Sequence, residues 1–238
     1  MPAKKNQLLA PISEVFFSYQ GEGIFLSEPQ IFVRFSGCNI SCNYCDTRVI
    51  KNAYYSPKGL LKKIKTLIRT NINNFAGVRP AISFTGGEPL IWKEFLSALL
   101  PDFKKINTKI FLETNGTLFK PLKEIIKFID IVSMDIKPPS ACGKDNWYAH
   151  RKFLRNCSRK AYVKLVVTND TEDKEVLRAV KMVGSISNEI PFVFQAVSPI
   201  KGVKEPSELN LRRWIGMAKN ELKYVYAIPQ MHKIWGIK

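Results

Sequence analysis

The chain has 238 residues, 45% of them hydrophobic and 24% charged, which excludes a disordered polyelectrolyte and leaves ample material for a sizeable core. No apolar run is long enough to cross a bilayer, and the basic start Met1–Lys5 has no apolar stretch behind it, so neither a membrane span nor a secretory leader is expected and the compartment expected is the cytosol. Lys and Arg number 37 against 20 Asp and Glu, giving a net charge of +17.

Short β-branched and aromatic runs alternate with amphipathic helical patterns. Strands are predicted over 31–35, 81–85, 109–113, 131–135, 162–168, 192–197 and 223–227. Between the first two lies a helix from Pro57 to about Phe75, with Leu60, Leu61, Ile64, Leu67 and Ile68 at helical spacing, Ser56 as cap and Pro57 in the first turn. Further helices are predicted over 92–105, 118–129, 171–187 and 206–219, the third of these opening with Glu172 and Asp173 at the positive end of its dipole. Strand–helix alternation implies parallel strands joined by crossover helices. Polar and special residues collect after the strands, at Thr85–Pro89, Glu113–Gly116, Asp135–Pro139 and 195–199, where parallel barrels place their sites. The strands are too few for a closed eight-fold barrel. The expected fold is α/β: one domain over 1–238, a partial, open parallel β/α barrel with few helices.

Three of the five cysteines fall within eight residues, in Gly37-Cys38-Asn39-Ile40-Ser41-Cys42-Asn43-Tyr44-Cys45-Asp46-Thr47. An odd, clustered count argues for a metal and against a disulfide framework. Three thiolates on one loop can hold three irons of a cubane cluster and leave the fourth iron open to a small molecule. Structural zinc is the competing reading, but it needs a fourth ligand, and neither His150 nor His232 lies at finger-like spacing. Cys142 and Cys157 stand apart and are read as plain thiols.

The densest basic stretch is Arg151, Lys152, Arg155, Arg159, Lys160 and Lys164, with no carboxylate among them. It reads as a solvated face, with a docking surface for an acidic electron-carrier protein or a nucleic acid as the sharper alternative. No nucleic-acid motif supports the latter.

The cysteine loop followed by Gly86-Gly87-Glu88-Pro89 resembles the radical S-adenosylmethionine superfamily. The resemblance implies a [4Fe–4S] cluster on Cys38, Cys42 and Cys45. S-adenosylmethionine would chelate the open iron, and its one-electron cleavage would yield a 5′-deoxyadenosyl radical. Gly87 would be glycine so that backbone can approach the cofactor's amino group. Upstream, Phe16-Phe17-Ser18-Tyr19-Gln20-Gly21-Glu22-Gly23 and Phe32-Val33-Arg34-Phe35-Ser36-Gly37-Cys38, with Thr85–Pro89, Glu113–Thr117, Asp135–Pro139 and Gln230–Lys233 in order, resemble the 7-carboxy-7-deazaguanine synthase family across nearly the whole chain.

That family contracts the ring of 6-carboxy-5,6,7,8-tetrahydropterin with loss of ammonia, in queuosine and deazapurine biosynthesis. The resemblance places the pterin against Tyr19, Gln20, Gly21, Glu22, Thr85, His232 and Lys238, with Arg34 for its carboxylate. It assigns S-adenosylmethionine to Gly87, Asp135, Ile136, Lys137, Gln195 and Ser198, and Mg²⁺ to Thr47, which is credible for an ion that keeps few protein ligands. Taken alone, Asp135 after a strand reads as a turn former, Glu113 as a partner for a nearby lysine, and His232 as a surface histidine. The family also suggests a homodimer, and an acidic flavoprotein is a candidate electron donor. Two other readings stay open at this point: an activase that makes a glycyl radical on a partner protein, and a zinc-bearing basic nucleic-acid-binding module.

Overall fold

A computed structural model of the chain describes residues 8–46, 52–71 and 78–238. Among the described residues nine strands form one sheet in the order β3-β1-β2-β4-β5-β6-β7-β8-β9. They are β1 (Ala10–Tyr19), β2 (Pro29–Phe35), β3 (Ala53–Tyr55), β4 (Ala81–Gly86), β5 (Ile110–Thr114), β6 (Ile131–Ile136), β7 (Ala161–Val167), β8 (Phe192–Ala196) and β9 (Val225–Ala227). From β2 through β4 to β9 each neighbour is parallel, as the crossover pattern requires. The sheet is open: β3 and β9 are its edges, so the partial barrel expected from sequence is the fold found.

The predicted helices appear as α1 (Pro57–Asn71), α2 (Lys93–Lys104), α3 (Phe119–Ile125), α6 (Asp173–Gly184) and α7 (Glu208–Lys219), with short α4 (Pro139–Cys142) and α8 (Met231–Trp235) near the strand ends. Ser56 caps α1 by accepting from Gly59 N at 3.2 Å; the end of that prediction, near Phe75, lies outside the described residues. Glu172 and Glu175 close a capping box on α6, each side chain accepting from the other's backbone.

Strand alternation sorts the sheet into two faces. Ile31, Val33 and Phe35 of β2, Val132, Met134 and Ile136 of β6, and Val163, Leu165 and Val167 of β7 are buried in one core under the helices. The intervening residues line a cavity on the other face: Phe32 and Arg34, Ser133 and Asp135, Lys164 and Val166.

Besides the short β3, α4 and α8, two longer elements were not expected. β1 is antiparallel to both β2 and β3, and its pairing with β2 slips between Ile12 and Glu14. Ala10 and Ile12 therefore face the core before the slip and Val15 and Phe17 face it afterwards, which turns Glu14 and Phe16 into the cavity. The other is α5 (Trp147–Cys157), which buries Trp147, His150, Phe153, Leu154 and Cys157 along one stripe.

The basic stretch is a solvated face only as far as Arg159, with Arg151, Lys152, Arg155 and Arg159 exposed. Lys160 turns back to donate to the carbonyls of Ile126 and Ile129, and Lys164 sits on β7 facing the cavity. Cys157 is buried, and burial pushes its thiol up to about 12, as suits an inert core cysteine.

Candidate active site

At the C-terminal ends of the parallel strands lies a cavity of about 540 Å³, a volume typical of small-molecule sites. The cysteine loop after β2 forms one wall. Cys38, Cys42 and Cys45 are all free thiols and all line the cavity. Among the described residues no three His, Cys, Asp or Glu groups stand close enough to hold a single metal ion. Three thiols carried on one loop can hold three irons of a cubane cluster and leave the fourth open to a ligand. Asn115 donates to Cys38 Sγ at 3.7 Å, and burial, partly offset by Lys137, pushes the Cys42 thiol up to about 11.

The Gly86-Gly87 pair brings β4 against this loop. Gly86 has φ +122, and a Cβ there would meet Phe35 O at 2.2 Å. A Cβ on Gly87 would stand 1.9 Å from Gly37 O and 2.5 Å from Gly37 C. Gly87 N donates to Phe35 O and Glu88 N to Gly37 O, each at 2.9 Å. Glycine at 87 is thus required first by the backbone of the cysteine loop, a reason the sequence reading did not give. Glu88 is fully buried behind the turn and accepts from Leu90 N, Asn115 N and the Thr114 hydroxyl. Burial raises its carboxyl to about 7 against the pull of those donors.

Across the cavity, four charges form a chain. Lys137 pairs with Asp135 at 2.9 Å and lies over the Tyr44 ring; Lys164 reaches Asp135 at 3.5 Å and makes a close ion pair with Glu22. Glu22 also accepts from Gln230 at 2.9 Å and stands 4.0 Å from His232. Burial raises the Glu22 carboxyl, but Lys164 foremost, then Gln230 and His232, pull it down to about 2. Among the described residues that line the cavity, two buried acceptors have no hydrogen-bond partner, Asp135 Oδ1 and Gln195 Oε1. Unsatisfied buried acceptors of this kind are costly unless a ligand supplies donors.

A second charged corner joins Arg34 to Glu14 at 3.3 Å and Lys238 to Glu14 at 2.5 Å, with both cations over the Phe16 ring. The segment around α8 closes this side. Met231 N donates to Gly21 O, the Ser18 hydroxyl donates to Lys238 O at 2.6 Å, and His232 packs so close to Gly21 that a Cβ there would meet it at 2.5 Å.

Nearly all the residues singled out from sequence come together here: Tyr19, Gln20, Gly21, Glu22, Arg34, Thr85, Gly87, Asp135, Lys137, Gln195, Ser198, His232 and Lys238 all border the cavity. Ile136 does not; alternation turns its side chain into the core, leaving only its backbone for a ligand. The Gln20 carboxamide is already committed, donating to Glu113 and Gln30 and accepting from Glu22 N. Glu113 is paired with Gln20, Ser83 and Thr85, not with the nearby lysine expected of it. Thr47 lies outside the described residues. Sequence reasoning missed Glu14, Phe16, Asn115 and Lys164. For Lys164 a signal existed: it is the lone charge in Ala161–Val167, at the position that alternates with Tyr162 and Val166.

The Radical SAM superfamily profile matches residues 32–181. A 7-carboxy-7-deazaguanine synthase from Geobacter sulfurreducens is 35% identical, with 95% of this chain and 97% of the relative covered. Another, from Methanocaldococcus jannaschii, is 32% identical over 95% and 99%. Among solved structures, the crystal structure of QueE from Escherichia coli superposes with a TM-score of 0.59 over 96% of both chains at 20% identity. A structure of TYW1 with a lysine-pyruvate adduct bound gives a TM-score of 0.58 over 83% of this chain and 75% of that one, at 16% identity. At those identities the structural likeness is one of fold. With the cysteine loop, the glycine pair and the paired charges on one cavity, the chain belongs to the radical SAM superfamily and, within it, to the 7-carboxy-7-deazaguanine synthase family.

Proposed function

We infer that the chain converts 6-carboxy-5,6,7,8-tetrahydropterin to 7-carboxy-7-deazaguanine with loss of ammonia, a carbon–nitrogen lyase reaction of deazapurine and queuosine biosynthesis. The observation that carries this reading is one continuous cavity joining a three-cysteine loop to paired cations and carboxylates, in a chain matched end to end by that family. When bound, a [4Fe–4S] cluster and S-adenosylmethionine supply one-electron cleavage of the sulfonium and the hydrogen abstraction that starts the ring contraction.

The chain's own residues hold, orient and shield. Cys38, Cys42 and Cys45 are the cluster ligands. Asp135 Oδ1 and Gln195 Oε1 are the open acceptors for the cofactor's donors, with Ser198, the Gly87 backbone and Lys137 around them. Arg34 takes the pterin carboxylate in place of Glu14, its present partner. Glu22, held ionised, accepts from the N–H edge of the pterin, while Tyr19, Gln20, Gly21, Thr85, His232 and Lys238 complete the wall. Phe16 and Phe32, stacked at 5.2 Å, give the ring an apolar surface and exclude water from it. Thr47 is the proposed contact for Mg²⁺.

We further propose a single domain over 1–238, supported by the one sheet and its one large core. A homodimer is the proposed assembly, supported by exposed Ile234, Trp235 and Tyr226. Among the described residues no helix is long and apolar enough to cross a membrane, and the cytosol, where thiols stay reduced, is the proposed compartment. An acidic flavoprotein is the proposed reductant: Cys38 and Cys45 are exposed, and cationic Lys201 and Lys233 hold the Cys45–Asp46 segment.

The test is anaerobic. Protein rebuilt with iron and sulfide is given reductant, S-adenosylmethionine, Mg²⁺ and the pterin, and products are read by mass spectrometry. A product lighter by ammonia, with 5′-deoxyadenosine, is expected. 5′-Deoxyadenosine without it would remove the substrate from this reading.

A further inference from the structure

Lys164 occupies the middle of β7 on the cavity face, its side chain 11% exposed. Its ammonium bonds to Glu22, on the turn after β1, and lies 3.5 Å from Asp135 Oδ2, at the end of β6. Under the proposed function these carboxylates belong to different ligands, Glu22 to the pterin and Asp135 to S-adenosylmethionine. Lys137 reaches only one of them: it pairs with Asp135, and beyond that carboxylate its neighbours are Tyr44 and Cys42. Among the described residues Lys164 is the one cation in ion-pair range of both.

The arrangement is demanding. A buried carboxylate without a cation is strongly disfavoured, and removing one partner of a buried pair leaves the other uncompensated. Without Lys164, Glu22 faces Gln230, His232 and, at electrostatic range, the Tyr162 phenol, and only His232 can carry positive charge. Asp135 still has Lys137, but loses the second anchor that fixes Oδ2 and thereby aims the open Oδ1. Glu113 of β5 also faces the ammonium, at longer range.

We propose that Lys164 is a positioning residue that fixes Glu22 and Asp135 together as ionised acceptors, so that a single ammonium sets both the pterin and the S-adenosylmethionine subsites. This rests on the proposed function for what the two subsites hold. Both ligands therefore depend on Lys164, whereas Lys137 serves the cofactor alone.

The test is equilibrium binding by calorimetry on cluster-reconstituted, unreduced protein under anaerobic conditions, with S-adenosylmethionine and 6-carboxytetrahydropterin titrated separately. Lys164→Met is expected to weaken each ligand by about tenfold or more, the scale of a lost charged hydrogen bond. Lys164→Arg is expected to recover a large part of both losses, and Lys137→Met to weaken the cofactor while leaving the pterin within about twofold. Pterin binding to Lys164→Met should also weaken more steeply than that of the parent as pH falls from 8 to 6, because Glu22 no longer has its cation. Lys164→Gln is read in the same way if the methionine variant fails to take up iron or to melt cooperatively. Parent-like binding of both ligands by either folded variant overturns the proposal, and so does loss of one ligand alone. A parent protein that binds S-adenosylmethionine but not the pterin overturns the substrate reading itself, and the shared role of Lys164 with it.

Discussion

Replacing Gly87 by Ala puts a methyl group where the backbone of Gly37 already stands. The added carbon would lie 1.9 Å from Gly37 O, against about 3.3 Å for an ordinary close C···O contact, so the turn or the cysteine loop must move by more than about 1 Å. Both flanking hydrogen bonds, Gly87 N to Phe35 O and Glu88 N to Gly37 O, lie in the path of that movement. Each is worth about 1 kcal/mol net, and forced overpacking costs about 1–3 kcal/mol. The total is on the order of 3–5 kcal/mol, which lowers the melting temperature of a chain this size by roughly 10 °C. The assay is thermal unfolding of the cluster-free protein, followed by iron content after reconstitution. Both should fall, because the displaced loop carries Cys38. If Gly87→Ala melts like the parent and only loses affinity for S-adenosylmethionine, then cofactor approach, and not the Gly37 contact, is why the position is glycine.

Cys42→Ala should abolish the brown cluster and all cleavage of S-adenosylmethionine; retained four-iron content by chemical analysis would sink the ligand assignment. Arg34→Ala should leave iron content unchanged but cut pterin turnover by about 100-fold, the scale of a lost charged, bidentate contact of about 3 kcal/mol; normal turnover would remove Arg34 from the carboxylate. Glu22 is held at about 2 when folded against 4.5 ordinarily, so its contribution is present above pH 4.5 and lost as pH falls towards 2. Glu22→Gln should therefore be less stable than the parent by up to roughly 3 kcal/mol at pH 7 in urea unfolding, with the gap closing as the acid range is approached. A gap that stays constant with pH would refute the depressed carboxyl.

The chemistry was more legible in the sequence than the edges of the fold. Cys38, Cys42 and Cys45 and the Gly86–Pro89 turn act through short-range spacing, which a sequence displays directly. β1 was hidden because its slip at Ser13 breaks the period-two alternation on which strand reading depends: Ile12 and Val15 share a face although they are three apart. α5 was hidden because Arg151, Lys152 and Arg155 draw attention to its wet side, while His150, Phe153, Leu154 and Cys157 hold the buried stripe. Lys164 looked like one more base in that run; only the register of β7 sends it inward. Glu14 and Lys238 pair across 224 positions, a contact that no local pattern encodes.

That long-range pairing bears on how the molecule is assembled. The wall around α8 is tied to the region of β1 by Ser18 to Lys238, Glu14 to Lys238 and Gln230 to Glu22, all separated by more than 200 positions along the chain. Ring closures of that length come late in folding, since the entropy of bringing distant segments together must be met before they reward one another. The sheet and its helices can condense first, leaving the cysteine loop open on one side. In this order of events the chamber has an assembly stage in which a bulky inorganic cluster can be installed, before the strap from α8 fastens across its mouth.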